Sequence, residues 1–309
     1  MNIITLTLSP AIDVHCHADR FFVERENFAN ITSRDVGGKG INISRALLSH
    51  GVQNTAIVAV GKENADDFLS ALSAENINLH AISVKGRIRE NITIHANGAK
   101  ETRLSFDGFS ADGKLLNEVK KLADNILKSG DLLAIAGSIP SDVEISSIKR
   151  YIKALKIRGV KVIIDSRSLS LDDVVECAPF LIKPNREEIS AYMGKEVFTV
   201  SEAVKTANEI FKKGVENVMI SLGEQGAVLA CADGVFTAKA PKIEAISTIG
   251  AGDSSIAGFI AAYKDGKSAA ECLKSAVAFG SAACLTEGTK APQKEDISRL
   301  LKEIKTIKL

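Results

Sequence analysis

A strong net charge is missing from this chain of 309 residues, because 39 lysines and arginines balance 38 aspartates and glutamates to leave a formal charge of +1. A nucleic-acid-binding protein normally shows an excess of basic residues. We therefore expect no nucleic-acid partner, although a local basic pocket is compatible with this balance. Length alone allows either two average domains or one large α/β domain.

Paired cysteines are missing as well. The five cysteines are scattered, odd in number and free of any C-x-x-C pair. This arrangement is typical of reduced thiols in a cytosolic protein rather than of a disulfide framework or a zinc site. The sequence His15-Cys16-His17 resembles a metal motif. Neighbouring residues of a strand point to opposite faces, however, so these three side chains cannot converge on one ion.

Long apolar runs are also missing. No stretch approaches the roughly 20 apolar residues that a membrane helix needs. The first segment, Met1 to Leu8, lacks the basic start of a signal peptide. We therefore expect a soluble, cytoplasmic protein without a membrane partner.

Two common nucleotide-binding signatures are missing. No G-x-G-x-x-G follows the first apolar segment, which argues against a dinucleotide-dependent dehydrogenase. The spacing of Gly108, Gly113 and Lys114 resembles a Walker A loop, but Leu115 stands where that loop requires a metal-binding serine or threonine. No apolar strand leads into this segment either, so we do not interpret it as a phosphate loop.

Short apolar segments separated by helical spacing are what the chain does contain. Ile4, Leu6 and Leu8 alternate with threonines and predict a first strand. Nearly continuous apolar runs of this length are typical of strands that are covered on both faces of a parallel sheet. Such runs are Ala56–Val60, Leu132–Ala136, Val160–Ile164, Val218–Ile220 and Ala227–Ala230. Strands alternating with helices predict a layered α/β domain.

Two polar regions, at about 12–36 and 89–106, interrupt this alternation. Both alternate like strands and lack a helical period, and Asn97-Gly98 predicts a tight turn within the second. We expect them to form a small sheet outside the main one. A small sheet beside a nucleotide-binding fold can serve as a lid that excludes water during group transfer.

A glycine-rich segment, Gly37-Gly38-Lys39-Gly40, precedes an amphipathic helical segment. Glycines let a ligand approach the backbone, and the helix N-terminus offers free amides to an anion. Lys39 would add a positive charge suited to phosphate. The alternative is an ordinary glycine-rich turn with a solvated lysine.

A second such segment, Thr248-Ile249-Gly250-Ala251-Gly252-Asp253, directly precedes an apolar helical segment that starts near Ser254. Its glycines would expose amides where phosphoryl charge develops during transfer. A carboxylate beside this anion hole could take a proton from an attacking hydroxyl. The alternative is that Asp253 only caps the helix.

A third segment, Lys183-Pro184-Asn185-Arg186-Glu187-Glu188, follows an apolar strand and opens a helix. Asn185 and Glu188 lie one turn apart on the same face. They could orient a Mg²⁺ ion through water molecules. The alternative is a helix cap made by the same two residues.

With these segments in this order, the whole chain resembles the PfkB-type, ribokinase-like carbohydrate kinases. It is most similar to the branch that contains 1-phosphofructokinase and tagatose-6-phosphate kinase. The resemblance runs from Thr7-Leu8-Ser9-Pro10-Ala11-Ile12-Asp13 to Gly280-Ser281-Ala282-Ala283 and Glu287-Gly288-Thr289. Its most specific motifs are Gly37–Asn42 and Thr248–Asp253.

The resemblance implies one kinase domain over residues 1–309, a three-layer α/β sandwich with a mostly parallel central sheet. The lid at about 12–36 and 89–106 would also be the homodimer contact. The cofactors would be ATP and Mg²⁺, with a K⁺ ion near Ser247, Ala283 and Gly288. The resemblance implies that Asp253 is catalytic, with an anion hole formed by Gly250, Ala251 and Gly252. It implies a sugar site made of Asp13, Gly38, Lys39, Asn42 and Ser138. It also implies an ATP and metal site made of Lys183, Asn185, Glu188, Ser221, Gly223 and Gly226, with Ala278 to Ser281 beside adenine.

The acceptor is expected to be a sugar phosphate. By resemblance, Arg89 and Arg103 would meet its phosphate together with Lys39, a cluster that suits a dianion better than a neutral sugar. The alternative is that both arginines are solvated. The chain has Glu26-Asn27-Phe28 where the branch commonly shows Val-Asn-Arg, and Asp165-Ser166-Arg167 departs from its small-residue pattern.

Fructose 1-phosphate is the first expectation for the acceptor, and tagatose 6-phosphate and fructose 6-phosphate are close variants. Two further hypotheses are a kinase for a neutral sugar or a nucleoside, and a non-catalytic sugar-phosphate sensor on the same fold. The intact Gly250–Asp253 segment argues against the sensor, because a pure binder has no need of a base.

Overall fold

Parallel strands form the centre of the protein. The computed structural model describes residues 1–98, 101–111 and 113–309. In chain order the strands are β1 (Ile3–Thr7), β2 (Ala11–Ala18), β3 (Asn30–Gly37), β4 (Thr55–Gly61), β5 (Leu79–Val84), β6 (Arg89–Ala96), β7 (Thr102–Leu104), β8 (Leu132–Ala136), β9 (Lys161–Asp165), β10 (Leu181–Ile182), β11 (Asn217–Ser221), β12 (Ala227–Cys231), β13 (Gly234–Ala238) and β14 (Thr306–Lys308). The helices are α1 (Lys39–Ser49), α2 (Ala65–Ala74), α3 (Leu115–Ile126), α4 (Ile145–Ile157), α5 (Leu171–Cys177), α6 (Arg186–Met193), α7 (Val200–Lys212), α8 (Ala251–Lys264), α9 (Ala269–Ala283) and α10 (Lys294–Glu303).

The main sheet has ten strands in the order β14-β13-β12-β11-β10-β9-β8-β1-β4-β5. The strands from β11 to β5 pair in parallel, whereas β12, β13 and β14 are added by antiparallel pairing. The prediction of a mostly parallel central sheet is therefore confirmed. Each apolar run proposed from the sequence coincides with one of its strands, with bounds that differ by a residue or two.

Both faces of this sheet are covered, which makes three layers. On one face Leu133 and Ile135 of β8 pack with apolar residues of α3 and α4. On the other face Leu132 and Ala134 pack with residues of α8 and α9. Alternate side chains of the same strand thus enter two separate cores, and this explains why the strand is apolar throughout.

The two polar regions form one separate sheet, in the order β3-β2-β6-β7. Strand β2 pairs antiparallel with β3 and parallel with β6, and β6 pairs antiparallel with β7. The predicted small sheet is therefore present. Ala99 and Lys100, within the region at 89–106, lie outside the described residues.

The small sheet is joined to the body by a third apolar cluster. Ile12 and Val14 of β2 pack there with Phe68 and Leu72 of α2. In the part of the chain that the structure describes, no helix has the length and apolar character to cross a membrane.

Helices α8 and α9 pack so closely that a glycine is required between them. A Cβ atom at Gly258 would lie 2.5 Å from the carbonyl oxygen of Ser275 and 2.8 Å from Cγ of Phe279, which is completely buried. The backbone of α9 therefore contacts α8 directly at this point.

We expect Gly258→Ala to lower the free energy of unfolding by about 1–3 kcal/mol, because the added methyl group overpacks the helix contact. This is opposite in sign to the gain that alanine usually brings inside a helix. The measurement is chemical denaturation of both proteins. Gly113→Ala is the matched control, since a Cβ there meets no heavy atom within 4 Å. Equal effects of the two substitutions would contradict the prediction.

Candidate active site

Polar residues from five segments meet where the parallel strands end. Asp165 is the last residue of β9, Ser138 follows β8, Lys183 follows β10, and helices α1 and α8 begin at the same edge of the sheet. Ligands of open α/β sheets bind at the carboxyl ends of the strands. The sheet topology therefore places the predicted residues at the edge where a ligand is expected.

Asp253 lies in the first turn of α8 and is 7% exposed. The helix begins at Ala251, three residues before the start that the sequence indicated, because Gly250 serves as N-cap in a left-handed conformation with φ 76°. The Nδ2 atom of Asn42 donates a hydrogen bond of 2.8 Å to Oδ2 of Asp253. The two most specific glycine motifs of the sequence are thus joined through these side chains.

The pKa of Asp253 is set by its burial and by residues from several segments. Burial, and then the neighbouring carboxylate of Asp165, raise the pKa of Asp253 to about 6, although Lys39, Asn42 and Lys183 act in the opposite direction. A carboxylate with a pKa slightly below neutrality is suited to general-base catalysis. It is ionised at pH 7, yet it binds a proton more strongly than an exposed aspartate.

Two lysines lie close to Asp165, the carboxylate neighbour of Asp253. Nζ of Lys39 lies 3.1 Å from Asp165 and 3.7 Å from Glu188, and Nζ of the buried Lys183 lies 3.8 Å from Asp165. Burial disfavours the charge of Lys39, but Asp165, Asp253 and Glu188 outweigh this effect and raise the pKa of its ammonium group. Asp165 is the common partner of both lysines, and sequence reasoning had assigned it no role.

The start of α8 lies against Lys183. A Cβ atom at Gly252 would be 3.1 Å from Nζ of Lys183, closer than almost all real contacts of this kind. Helix N-termini attract anions through their free amides. The missing side chain at Gly252 therefore leaves a cradle of backbone amides beside a buried ammonium group, and this arrangement fits a phosphoryl group.

The glycines of the first motif, Gly37 to Gly40, allow helix α1 to pack closely on β1. A Cβ atom at Gly38 would lie 2.6 Å from Cγ2 of Thr7, and one at Gly40 would lie 2.5 Å from Oγ1 of the same residue. Gly38 also has φ 148°, which disfavours a side chain. Helix α1 begins at Lys39, inside the motif, and the glycines let it pack on the end of β1.

Asn185 and Glu188 form the helix cap that the sequence offered as the alternative. Oδ1 of Asn185 accepts from the Glu188 amide at 2.8 Å, and Oε2 of Glu188 accepts from the Asn185 amide at 3.0 Å. Oε1 of Glu188 accepts from Nε of Arg167 at 2.8 Å and also faces Lys39. Burial alone would raise the pKa of Glu188, but hydrogen bonds from Arg167 and the Asn185 amide lower it.

The residues expected to bind ATP lie along one edge of this site. Ser221 ends β11 and bridges to Asn185, and Gly223 has φ 61°. A Cβ atom at Gly226 would lie 1.9 Å from the carbonyl oxygen of Ala238, so this glycine is required by packing. On α9, Ala278 is completely buried and Ser281 is 8% exposed. Their role in nucleotide binding remains a prediction.

Three residues expected to bind the acceptor, Asp13, Arg89 and Arg103, lie together at the small sheet, whereas Lys39 lies at the ends of the main-sheet strands. Asp13 accepts hydrogen bonds from Arg103 at 2.7 Å and from Asn91 at 2.9 Å, both from the small sheet. Burial lowers the pKa of Arg89, while the charge of Asp13 raises it and that of Arg103 lowers it. Lys39, the third cation of the expected cluster, instead pairs with Asp165 and Glu188. Sequence reasoning missed Asn91, which no motif marks.

The segments expected to hold a monovalent cation are neighbours. The amides of Ile246 and Ser247 both donate to the carbonyl oxygen of Cys284, at 2.8 and 3.3 Å, and the carbonyl oxygen of Ala283 accepts from the Thr286 hydroxyl at 2.9 Å. Gly288 has φ 57° in the same loop. Among the residues that the structure describes, no cluster of three or more histidine, cysteine or acidic side chains is arranged to hold a metal ion.

Comparison with known proteins gives one consistent result. The chain is 31% identical to 1-phosphofructokinase of Bacillus subtilis over 99% of this chain and 100% of that protein. It is 30% identical to ATP-dependent 6-phosphofructokinase isozyme 2 of Escherichia coli over 97% and 98% of the two chains. A solved structure of phosphofructokinase-2 from Escherichia coli in complex with substrates and products matches with a TM-score of 0.89 and 28% identity, covering 98% of this chain and 99% of that one. Residues 7–296 match the model of the pfkB family carbohydrate kinases, and the chain belongs to that family.

Proposed function

We propose that this ATP-dependent carbohydrate kinase phosphorylates a phosphohexose, converting fructose 1-phosphate to fructose 1,6-bisphosphate. The observation that carries the proposal is the buried carboxylate of Asp253 at the N-terminus of α8, held by Asn42 and flanked by Lys183. The proposal is supported by the closeness of three groups that could act as a base, an anion cradle and a fixed positive charge. These are the groups that phosphoryl transfer to a hydroxyl group requires.

The proposed chemistry follows from these positions. Asp253 accepts the proton of the acceptor hydroxyl group, whose oxygen bonds to the γ-phosphorus of ATP while the bond from that phosphorus to ADP breaks and ADP leaves. The amides from Gly250 to Gly252 and the ammonium group of Lys183 stabilise the charge that develops on the transferred phosphoryl group. Because these groups are held in place before the reaction, they need not reorganise during it.

The nucleotide and its metal would occupy the neighbouring edge. Lys183, Asn185, Ser221, Gly223 and Gly226 would hold ATP, with α9 beside its base. Glu188, which was expected to hold Mg²⁺ together with Asn185, would supply a carboxylate oxygen of the kind that the ion prefers, either directly or through water, and Asp165 would add a second carboxylate. The ion would neutralise phosphate charge during transfer, and in this chain it would compete with Arg167 for Oε1 of Glu188. A K⁺ ion would fit the carbonyl-rich loops around Ser247, Ala283 and Gly288.

The acceptor's own phosphate would lie against the small sheet. Arg89 and Arg103 approach each other around Asp13, and the charge of Arg103 disfavours that of Arg89. Two arginines close enough to repel are stabilised by a bound dianion, whereas a neutral sugar offers no such compensation. The similarity to a 1-phosphofructokinase supports fructose 1-phosphate, and the 30% identity to a 6-phosphofructokinase makes fructose 6-phosphate the second candidate.

The small sheet would also form a homodimer contact. Its strands and the segments beside them expose several large apolar side chains, with Phe28 82%, Ile31 55%, Leu104 45% and Phe106 49% exposed. Exposed apolar residues grouped on one element mark an interaction site. We also infer that the enzyme acts in the cytoplasm, an assignment that its five free cysteines support.

We expect Asp253→Asn to reduce kcat by roughly 10²–10⁴-fold with little change in the KM for ATP, because the amide cannot accept the proton. In the parent enzyme the ionised carboxylate is the active form. Since its pKa is about 6 in the free enzyme, kcat/KM should fall as the pH is lowered through that value. A coupled ADP-release assay between pH 5 and 8 measures both effects. Near-native turnover of the variant would remove Asp253 from the mechanism.

We expect Arg89→Ala and Arg103→Ala each to raise the KM for the phosphohexose by roughly ten- to a hundredfold, because each removes a charge-assisted contact. The KM for ATP should stay nearly constant. Arg34→Ala is the matched control, since Arg34 also lies on the small sheet but pairs with Glu90. Kinetics with fructose 1-phosphate, fructose 6-phosphate, tagatose 6-phosphate and free sugars decide the acceptor. If free fructose or ribose is the best substrate, the enzyme is a neutral-sugar kinase.

We expect the parent protein to sediment as a dimer and Ile31→Lys or Leu104→Lys to shift it toward the monomer, because a buried unpaired lysine disfavours association. Sedimentation velocity measures the change. Ile157→Lys is the control, because Ile157 is 88% exposed on α4, away from the small sheet. A monomeric parent protein, or a dimer that only the control disrupts, would exclude the small sheet as the contact.

A further inference from the structure

The side-chain amide of Asn42 lies between a cation and the carboxylate of Asp253. Its Oδ1 accepts a hydrogen bond of 3.1 Å from Nη1 of Arg45, while its Nδ2 donates the bond of 2.8 Å to Asp253. Asn42 and Arg45 are one turn apart on α1. The contact to Asp253 therefore continues to a second residue, Arg45, which is not itself among the residues assigned to the acceptor or the nucleotide.

Arg45 is held rigidly. Its side chain is 9% exposed, and its Nε and Nη2 atoms donate to the two carboxylate oxygens of Glu75 at 2.5 and 2.8 Å. Nη2 also donates to the carbonyl oxygen of Val36 at 2.6 Å. These partners belong to the C-terminus of α2 and the end of β3, so three elements fix one guanidinium group.

This geometry determines which way the amide faces. A guanidinium group only donates hydrogen bonds, and an ionised carboxylate only accepts them. The amide of Asn42 satisfies both neighbours in one orientation, with Oδ1 toward Arg45 and the NH₂ group toward Asp253. The reverse orientation would place its NH₂ group against a cation and its oxygen against an anion.

We propose that Arg45 is a positioning residue of the kinase, which fixes the amide of Asn42 so that its NH₂ group faces the carboxylate of Asp253. The proposal rests on the proposed function, in which Asp253 is the base. Arg45 keeps the base ionised and aimed without contacting either substrate. Its bidentate pairing with Glu75 keeps it in place.

Other charged groups around Asp253 also shift its pKa. Asp165 at the end of β9 disfavours its ionised form, whereas Lys39 of α1 and Lys183 after β10 favour it. The hydrogen bond from Asn42 acts with the two lysines and lowers the pKa of Asp253. Releasing the amide removes this contribution alone, so Asp253 should then take up a proton at higher pH.

The test compares Arg45→Met with the parent enzyme in three measurements. We expect the acid limb of the kcat/KM profile, which reports the free enzyme, to move to higher pH by about half a unit to one unit, the size of one lost hydrogen bond to a carboxylate. The KM for ATP should not change. The titration of the Asp253 carboxyl carbon, followed by NMR in the free enzyme and assigned with Asp253→Asn, should move by the same amount.

Two further variants separate positioning from simple stability. Arg150→Met is the matched control, because Arg150 is 69% exposed on α4 and should leave both profiles in place. Arg45→Lys keeps a donor for Oδ1 of Asn42 and should recover part of the shift. A lower melting temperature of Arg45→Met with an unmoved acid limb and an unmoved titration overturns the proposal and makes Arg45 a packing residue.

Two further outcomes also test whether Arg45 positions Asn42. If Arg45→Met does not fold, Glu75→Gln takes its place, because it keeps the shape and weakens the anchor; an Asp253 titration identical to that of the parent enzyme then overturns the proposal. If Asp253→Asn is fully active, the base assignment fails. The NMR titration still shows whether Arg45 orients Asn42, so the two failures are distinguishable.

Discussion

The ionised state of Asp253 is the constraint on which the rest of the site depends. A carboxylate that is 7% exposed has lost most of its hydration, and a buried charge survives only with partners. The partners here are a lysine from α1, a lysine after β10 and an amide that is itself fixed by Arg45. These partners come from α1 and from the residue after β10, while Asp253 itself lies on α8, so these segments must keep their relative positions for the carboxylate to stay ionised.

The same constraint explains why the site contains more anions than a phosphate-binding site would be expected to hold. Asp165 and Glu188 pair with Lys39 and keep its ammonium group charged despite burial. Without them the lysine would lose its proton more readily, and it could not attract a phosphate. These carboxylates provide the charge that neutralises the ammonium group of Lys39.

Sequence reasoning found the features that are encoded locally. Alternation and apolar runs predicted a layered α/β domain with a parallel sheet, and two polar regions predicted the separate small sheet, because strand periodicity is visible within a few residues. The glycines before Asp253 likewise showed the start of a helix beside an acid, although the left-handed Gly250 sets that start earlier than apolar periodicity indicated.

Features that depend on distant pairs were not predictable from one sequence. Nothing near Arg45 shows that Glu75 holds it, and nothing near Asp13 shows that Asn91 donates to it, because the partners are 30 and 78 residues apart. The segment from Asn185 to Glu188 shows a different limit. A capping box and a water-mediated metal site use the same residue types at the same spacing, so only the fold could show that the cap is formed.

The hydrogen bond between Asn42 and Asp253 also has a consequence for how the molecule assembles. It joins residues 211 positions apart, and β1 pairs with β8, which follows it by well over a hundred residues. Contacts of such separation form slowly, because the chain between them must first lose its freedom. While the chain is being synthesised, the side chain of Asn42 therefore lacks its partner Asp253 until most of the protein has been made. The site around this pair of residues is therefore completed late in folding.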